Sequence, residues 1–265
     1  MKFYHSGRKD PNAPVILLLP GTACHWETNF RTVRPLLNQK FHVVSVSYDG
    51  FDQSEDTIFP DMISETEKIE TYLQRRFDGC ICCAYGCSLG GSFVSLLIQR
   101  GYIHINHGII GSSDMDEAGK FSAKCQAFLV SKIFIDMLRT GKLPGIFRKK
   151  ISQMPPERAE YMNQLMSRMF RTGKGGMSFV KKESIYNQFY SDLITPVANH
   201  ISVPETTIHI FYAKKMGNKY LKRYYQHFEN PDIHVHDMEH EELLICHPEQ
   251  WVQEVEDCCF GTDIA

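Results

Sequence analysis

The stretch Ala84-Tyr85-Gly86-Cys87-Ser88-Leu89-Gly90-Gly91 (AYGCSLGG) places one serine between small residues at the point where an apolar run ends. A β-rich run precedes it, and a helical pattern of apolar residues follows it. Gly86 to Gly90 fit the pattern G-x-S-x-G, typical of a serine nucleophile on a sharp strand-to-helix turn, where glycines leave room for the backbone. An ordinary N-cap serine would explain the helix start but neither glycine, so we predict that Ser88 is a nucleophile.

Short β-rich runs alternate with helical patterns over the first 115 residues, which predicts a parallel sheet flanked by helices. Strand patterns occur at residues 15–19, 41–47, 80–85, 105–110, 206–213 and 232–236. Helical patterns occur at residues 61–77, after Ser88 until Gly101, and from Pro248 onwards. Residues 116–199 are helical in pattern. We therefore predict an α/β core made of residues 1–115 and 200–265, with residues 116–199 as a helical insertion.

Composition and charge narrow the classes of function. The 265 residues suffice for one large domain with an inserted subdomain, and the net charge of −2 gives no reason to expect a nucleic-acid partner. No apolar run approaches the about 20 residues that span a bilayer, and no apolar stretch follows the basic residues near the N-terminus. Nine cysteines, an odd number, suit a reducing compartment. We expect a cytoplasmic protein with a small-molecule substrate, no nucleic-acid partner and no membrane span; its oligomeric state stays open.

The crowded cysteines of Cys80-Ile81-Cys82-Cys83 raise the question of a metal site. They lack a second Cys or His pair at zinc-finger spacing, and alternate residues of a strand face opposite sides of its sheet. We therefore expect these cysteines to be small buried side chains. The sequence predicts no metal ion and no organic cofactor.

With its serine turn in this context, the chain resembles the α/β-hydrolase family along nearly its whole length. The resemblance implies a mostly parallel central sheet of the eight-strand type, flanked by helices, with a helical cap insertion over the active site. Leu19-Pro20-Gly21-Thr22 is similar to the family's oxyanion loop, although Pro20 replaces the usual histidine. By position, the backbone N–H groups of Thr22 and Leu89 would form the oxyanion hole, with Ala23 as an alternative to Thr22.

The segment Asp237-Met238-Glu239-His240-Glu241-Glu242-Leu243-Leu244 is similar to the family's histidine loop, with His240 in the place of the histidine. Glu239 stands where glycine is usual, so the loop must differ locally. A histidine suits the task because a pKa near neutrality lets the imidazole accept the serine proton and return it to the leaving group. His236 and His247 are poorer alternatives.

The family's usual acid follows the strand equivalent to residues 206–213, and this chain has Met216 there. A thioether cannot orient an imidazolium. Some family members place the acid after the preceding strand, where this chain has Asp114, so the resemblance implies the order Ser88, Asp114, His240. Asp116 is the next choice, Asn218 and Glu241 are further alternatives, and a dyad without an acid also stays open.

These residues predict a serine hydrolase that cleaves a carboxylic ester, or a related acyl bond, of a small apolar substrate. Thioesterase, peptidase and acyltransferase activities share the acyl-enzyme and are not separated by the sequence. The alternative is a non-catalytic α/β-hydrolase-like protein that binds a small ligand, which the missing aspartate turn favours. A pure interaction module has only the Met-rich stripes of the insertion in its favour.

Two apolar stripes in the insertion would pack its helices on the core or, in part, line a pocket. Packing on the core is the favoured interpretation, because it is the commoner role of such stripes. If some of the residues line a pocket, flexible methionines would suit an apolar acyl or aryl group. The stripes are Phe128, Leu129, Ile133, Phe134, Met137 and Leu138, and Met162, Leu165, Met166 and Met169.

Overall fold

The computed structural model describes residues 1–140, 145–169 and 176–261. Its strands are β1 (Lys2–Gly7), β2 (Val15–Leu19), β3 (His42–Ser47), β4 (Cys80–Gly86), β5 (His104–Ile110), β6 (Thr207–Ala213) and β7 (Asp232–His236). They form one sheet in the order β1-β3-β2-β4-β5-β6-β7. Only β1 runs antiparallel, against β3. The predicted mostly parallel sheet is confirmed.

The sheet differs from the expected eight-strand type, because the described residues form seven strands. Strand β1 is absent from the predicted strands, because its sequence KFYHSG has no apolar run. This strand lies at an edge of the sheet and its residues are half-buried or exposed. A strand held by backbone pairing at an edge carries a weak hydrophobic signal, which explains why it escaped the pattern.

The helices cover both faces of this sheet. In chain order they are α1 (Trp26–Asn29), α2 (Arg34–Leu37), α3 (Met62–Phe77), α4 (Leu89–Arg100), α5 (Lys120–Thr140), α6 (Gly145–Ser152), α7 (Pro156–Met169), α8 (Lys182–Ile194), α9 (Asn218–His227), α10 (Glu242–Cys246) and α11 (Pro248–Phe260). The helices predicted at residues 61–77, after Ser88 and from Pro248 are thus present. Gly101 ends α4 with φ of +66°, a left-handed conformation that glycine adopts at low cost.

The core has two apolar layers, one on each side of the sheet. Leu17 and Leu19 of β2 belong to the layer under α3 and α4, and Ile16 and Leu18 belong to the opposite layer with Trp251 of α11. Successive residues of a strand point to opposite faces, so a strand covered on both sides must be apolar throughout. This accounts for the uninterrupted apolar run that the sequence shows at residues 15–19.

Helices α5 to α8 all come from residues 116–199. Helix α5 packs along α8, and α7 lies against α1 and α10. The first predicted stripe is only partly packed on the core. Met137 and Leu138 are buried, whereas Phe128 and Leu129 are 58% and 60% exposed. The side chain of Met169 lies outside the described residues. Among the helices described, none combines the length and the apolar character that crossing a membrane requires.

Candidate active site

Ser88 lies on a sharp turn between the end of β4 and the start of α4. Its backbone angles are φ +49° and ψ −112°, outside the regions that residues with a side chain commonly occupy. A Cβ added to Gly86 would lie 2.1 Å from the Gly90 backbone, and one added to Gly90 would lie 2.1 Å from the Leu19 carbonyl oxygen. The two glycines of the motif are therefore sterically required. Backbone strain of this kind persists where the surrounding structure enforces it, and it is concentrated at functional sites.

The turn presents Ser88 to a cavity of about 550 Å³ at the carboxyl ends of the parallel strands. His240, which follows β7, and Asp114, which follows β5, line the same cavity, as does Thr22 after β2. The fold thus brings together residues that are far apart in sequence. Leu89, whose amide is the remaining predicted oxyanion donor, is the first residue of α4 and is buried.

The alternative histidines lie elsewhere. His236 pairs with Glu254, with 3.0 Å between Nε2 and Oε2. His247 is exposed and precedes the first turn of α11. Neither lines the cavity, so position in the fold favours His240 as the partner of Ser88.

Backbone hydrogen bonds distinguish the candidate oxyanion donors. The Ala23 N–H donates to Oε1 of the buried Gln188, at 2.8 Å, and the Ser88 N–H donates to Oε1 of Glu241, also at 2.8 Å. The N–H groups of Thr22 and Leu89 have no acceptor within the part of the chain that the structure describes. Leu89 is moreover at the N-terminus of a helix, where the partial positive charge of the helix dipole favours an anion. Thr22 and Leu89 are thus the free donors, and Ala23 is not.

Glu241 supports the serine turn, although the sequence suggested it only as a further alternative for the acid. Its carboxylate is buried and accepts a hydrogen bond from the Ser88 N–H. Besides the Ser88 N–H, the carboxylate accepts the Tyr85 hydroxyl at 2.8 Å, and the Glu241 N–H donates to Ser112 Oγ at 3.3 Å. Glu241 therefore joins β4, β5 and the histidine loop, and fixes the backbone of the serine that precedes α4.

Asp114 lies in a group of acidic side chains at one side of the cavity. Burial, followed by the nearby Asp116 carboxylate, raises the pKa of Asp114, while His240 and Arg223 act in the opposite direction. The Arg223 guanidinium forms an ion pair with Asp116 and donates to the Asp114 carbonyl oxygen at 2.6 Å. Asp114 and His240 line the same cavity, and Asp116 has its own cationic partner in Arg223.

Asp192 of α8 also lines the cavity, and no sequence pattern singled it out. Burial, with Asp114 as the next cause, raises the pKa of Asp192 to about 8, against a hydrogen bond with Ser92 that lowers it. The raised pKa favours the neutral form of Asp192, which lessens the negative charge near Asp114. Met216 also lines the cavity, and Asn218 is the first residue of α9.

Residues 116–199 contribute a part of the cavity wall that is largely apolar. Two residues of the predicted stripes, Phe134 and Leu165, line the cavity. The other residues of this wall lie outside the stripes. The apolar wall residues of α5, α7 and α8 are Val130, Phe134, Leu165, Phe189 and Leu193. The arrangement suits an apolar substrate group near a nucleophile.

Side chains able to hold a metal ion are grouped elsewhere. Among the described residues, the group of three such side chains close enough to share an ion is His209, His234 and Cys258. None of the three lines the cavity. The crowded cysteines of residues 80–83 do not belong to that group.

No protein-family model and no curated protein matches the sequence. Solved structures do match it in fold. A protein from Desulfitobacterium hafniense described as an alpha/beta hydrolase family protein superposes with a TM-score of 0.76 at 14% identity, over 97% of this chain and 99% of that chain. MenH from S. aureus matches with a TM-score of 0.68 at 15% identity, over 97% and 96% of the two chains. A marine microorganism esterase matches with a TM-score of 0.67 at 12% identity, over 97% and 98%.

Proposed function

We propose that this chain, which has the α/β-hydrolase fold, is a serine hydrolase that cleaves a carboxylic ester or a related acyl bond through an acyl-enzyme on Ser88. The observation that carries the proposal is the strained Ser88 backbone, with φ of +49°, at the edge of a cavity that His240 also lines. A serine that only capped a helix would need neither this strain nor a histidine contributed from residue 240.

The residues around the cavity have complementary roles in this proposal. The Ser88 hydroxyl oxygen attacks the acyl carbon while His240 accepts its proton. The N–H groups of Thr22 and Leu89 stabilise the oxyanion that develops. His240 then gives the proton to the leaving group, and a water molecule, deprotonated by His240, cleaves the acyl-enzyme. Asp114 orients His240 and stabilises its charged form.

The substrate is, in our proposal, a small molecule with an apolar group. The cavity volume of about 550 Å³ is in the range of small-ligand sites, and α5, α7 and α8 give it an apolar wall. We propose that residues 116–199 form a cap that selects the substrate, on a core made of residues 1–115 and 200–265. One of the similar structures is named an esterase and another a type II thioesterase, and both chemistries proceed at an acyl carbon.

A second candidate is a non-catalytic protein of the same fold that binds a small ligand. Met216 favours it, because this thioether lines the cavity at the position of the usual acid. Asp114 argues against it, because this carboxyl group lines the same cavity as His240. The two candidates differ in whether Ser88 is chemically activated.

Labelling with a fluorophosphonate probe tests that difference. We expect the parent protein to be labelled, because an activated serine attacks phosphorus, and we expect Ser88→Ala to lose the label. Ser95→Ala is the matched control, since Ser95 is on the same helix and its hydroxyl donates to the Gly91 carbonyl at 2.8 Å. Labelled bands are quantified by in-gel fluorescence. An unlabelled parent, or a label that survives in Ser88→Ala, would contradict the proposal and favour the binding protein.

The acid is tested separately by Asp114→Asn. We expect this change to lower kcat for p-nitrophenyl ester hydrolysis by about 10³–10⁴-fold, because an amide cannot stabilise the imidazolium or hold the required tautomer. Asp116→Asn is the matched control: its carboxylate is paired with Arg223, and the expected loss is much smaller. Equal rates for Asp114→Asn and the parent protein would remove Asp114 from the mechanism and leave a dyad.

A further inference from the structure

A group of metal-binding side chains lies at the opposite end of the sheet from the cavity. His209 is near the start of β6, Asp232 and His234 belong to β7, and Cys258 is near the end of α11. The cavity is at the carboxyl ends of the strands, whereas His209 and Asp232 are paired neighbours near the amino ends of theirs. This group therefore belongs to a different part of the molecule from Ser88.

The ligand atoms of His209, His234 and Cys258 are close enough to share one metal ion, and the Asp232 carboxylate contacts both histidines. Oδ2 of Asp232 is 3.0 Å from Nδ1 of His209 and 3.1 Å from Nε2 of His234. Sγ of Cys258 is 3.8 Å from Nε2 of His234, and one ligand atom from each of His209, His234 and Cys258 lies within 4.8 Å of the others. A tetrahedral zinc ion with bonds of about 2.0–2.3 Å holds its ligand atoms about 3.3–3.6 Å apart. The ligand atoms of His209, His234 and Cys258, which lie within 4.8 Å of one another, would have to move inward to reach that arrangement.

The chemistry of the donors also favours zinc. Two imidazole nitrogens, one sulfur and one carboxylate oxygen form a mixed set that suits this borderline-soft ion, while Mg²⁺ and Ca²⁺ require oxygen ligands. His209 and Cys258 are buried, at 5% and 8% exposed, whereas Asp232 is at the solvent-exposed side of the group. Three elements separated in sequence supply the ligands, so the folded sheet and α11 assemble the site before the metal arrives.

We propose that His209, His234, Cys258 and Asp232 bind one zinc ion that joins β6, β7 and α11. Four protein ligands leave no open position for a substrate, so the ion is structural and takes no part in hydrolysis. It stabilises the edge strand β7 and the last helix, whose Trp251 and Val255 are buried against the sheet. The expectation of no metal ion came from the cysteines at residues 80–83, and the ligands proposed here follow no short spacing motif that the sequence would reveal.

The test uses the purified full chain, treated with a chelator, freed of it, and then titrated with zinc chloride. We expect the chain to bind one zinc ion, measured by elemental analysis after removal of free metal, and zinc to raise Tm by about 5–10 °C at a hundredfold excess over its dissociation constant. We expect Cys258→Ser to weaken zinc binding by about 100-fold or more, since even outer-shell changes cost 10–100-fold.

Cys259→Ser is the matched control, because this neighbouring cysteine lies outside the group. It should bind zinc like the parent, and so should His240→Ala, which removes the histidine of the cavity. Cobalt chloride gives an independent readout: a thiolate-to-cobalt charge-transfer band should appear in the parent and be absent from Cys258→Ser. If Cys258→Ser does not fold, His234→Gln serves with the same expected loss of affinity. A parent that retains no zinc, or variants that bind it equally well, would overturn the proposal.

Discussion

Ser88→Ala and His240→Ala should each lower kcat for p-nitrophenyl ester hydrolysis by about 10⁴-fold or more, and the double variant should be no worse than either single variant. The reason is that the two side chains act as one unit: a serine that cannot give up its proton is nearly as ineffective as an absent one. Both line one cavity, although 152 residues separate them in the chain. The measurement is steady-state kcat and KM for the parent, both single variants and the double variant.

The control for these variants is His247→Ala, since His247 is exposed and does not line the cavity. Its kcat should equal that of the parent. We expect KM to change little in Ser88→Ala, because the apolar wall that binds the substrate stays intact, and residual catalysis should come from the Thr22 and Leu89 donors. If the loss of kcat in the double variant were the product of the two single losses, the residues would act independently. That result would contradict the proposed proton transfer from Ser88 to His240. An active His240→Ala would have the same meaning.

Gly90→Ala should have the second large effect, this time on both stability and activity. The new Cβ would meet the Leu19 carbonyl oxygen at 2.1 Å, and neither atom belongs to a flexible side chain. We expect a loss of about 3 kcal/mol in the free energy of unfolding, at the upper end for overpacking, and a fall in Tm of roughly 6–12 °C. Because the clash moves the turn that holds Ser88, a displacement of about 1 Å should also cost about 100-fold in kcat.

Thermal denaturation and ester hydrolysis at a temperature where the variant is folded give the two readouts. Gly119→Ala is the matched control, since nothing lies within 4 Å of a Cβ added there. It should change the free energy of unfolding by about 0.5 kcal/mol or less. A Gly90→Ala protein with the Tm and kcat of the parent would mean that the turn does not need glycine at this position.

The serine turn and most of the sheet can be predicted because their causes are local. Gly86 and Gly90 stand two residues on either side of Ser88, and the doubly buried strand at residues 15–19 is apolar at every position. The helix after Ser88 and its end at Gly101 follow from the same short-range rules. The edge strand β1 cannot be predicted in this way, because it is held in the sheet by backbone hydrogen bonds to β3 and has no apolar run.

The support around the site could not be predicted, because it depends on contacts between distant residues. The Ser88 N–H meets Glu241, the Ala23 N–H meets Gln188, and Asp192 of α8 lines the cavity next to Asp114. Each of these side chains looks like an ordinary polar residue of a loop or helix in the sequence. Only the tertiary fold shows that the buried Glu241 carboxylate accepts the Ser88 N–H and that its neighbour His240 lines the same cavity as Ser88.

The hydrogen bond from Ala23 to Gln188 bears on any attempt to alter specificity by exchanging residues 116–199 for a segment from another protein. Helix α8 would leave with the exchanged segment, and the amide after Thr22 would lose its acceptor 165 residues away. Such a chimaera would combine a new binding surface with a loosened loop at Thr22, the proposed oxyanion donor. A low kcat could then be mistaken for weak substrate binding. Retaining residues 182–194 in the recipient would separate these two effects.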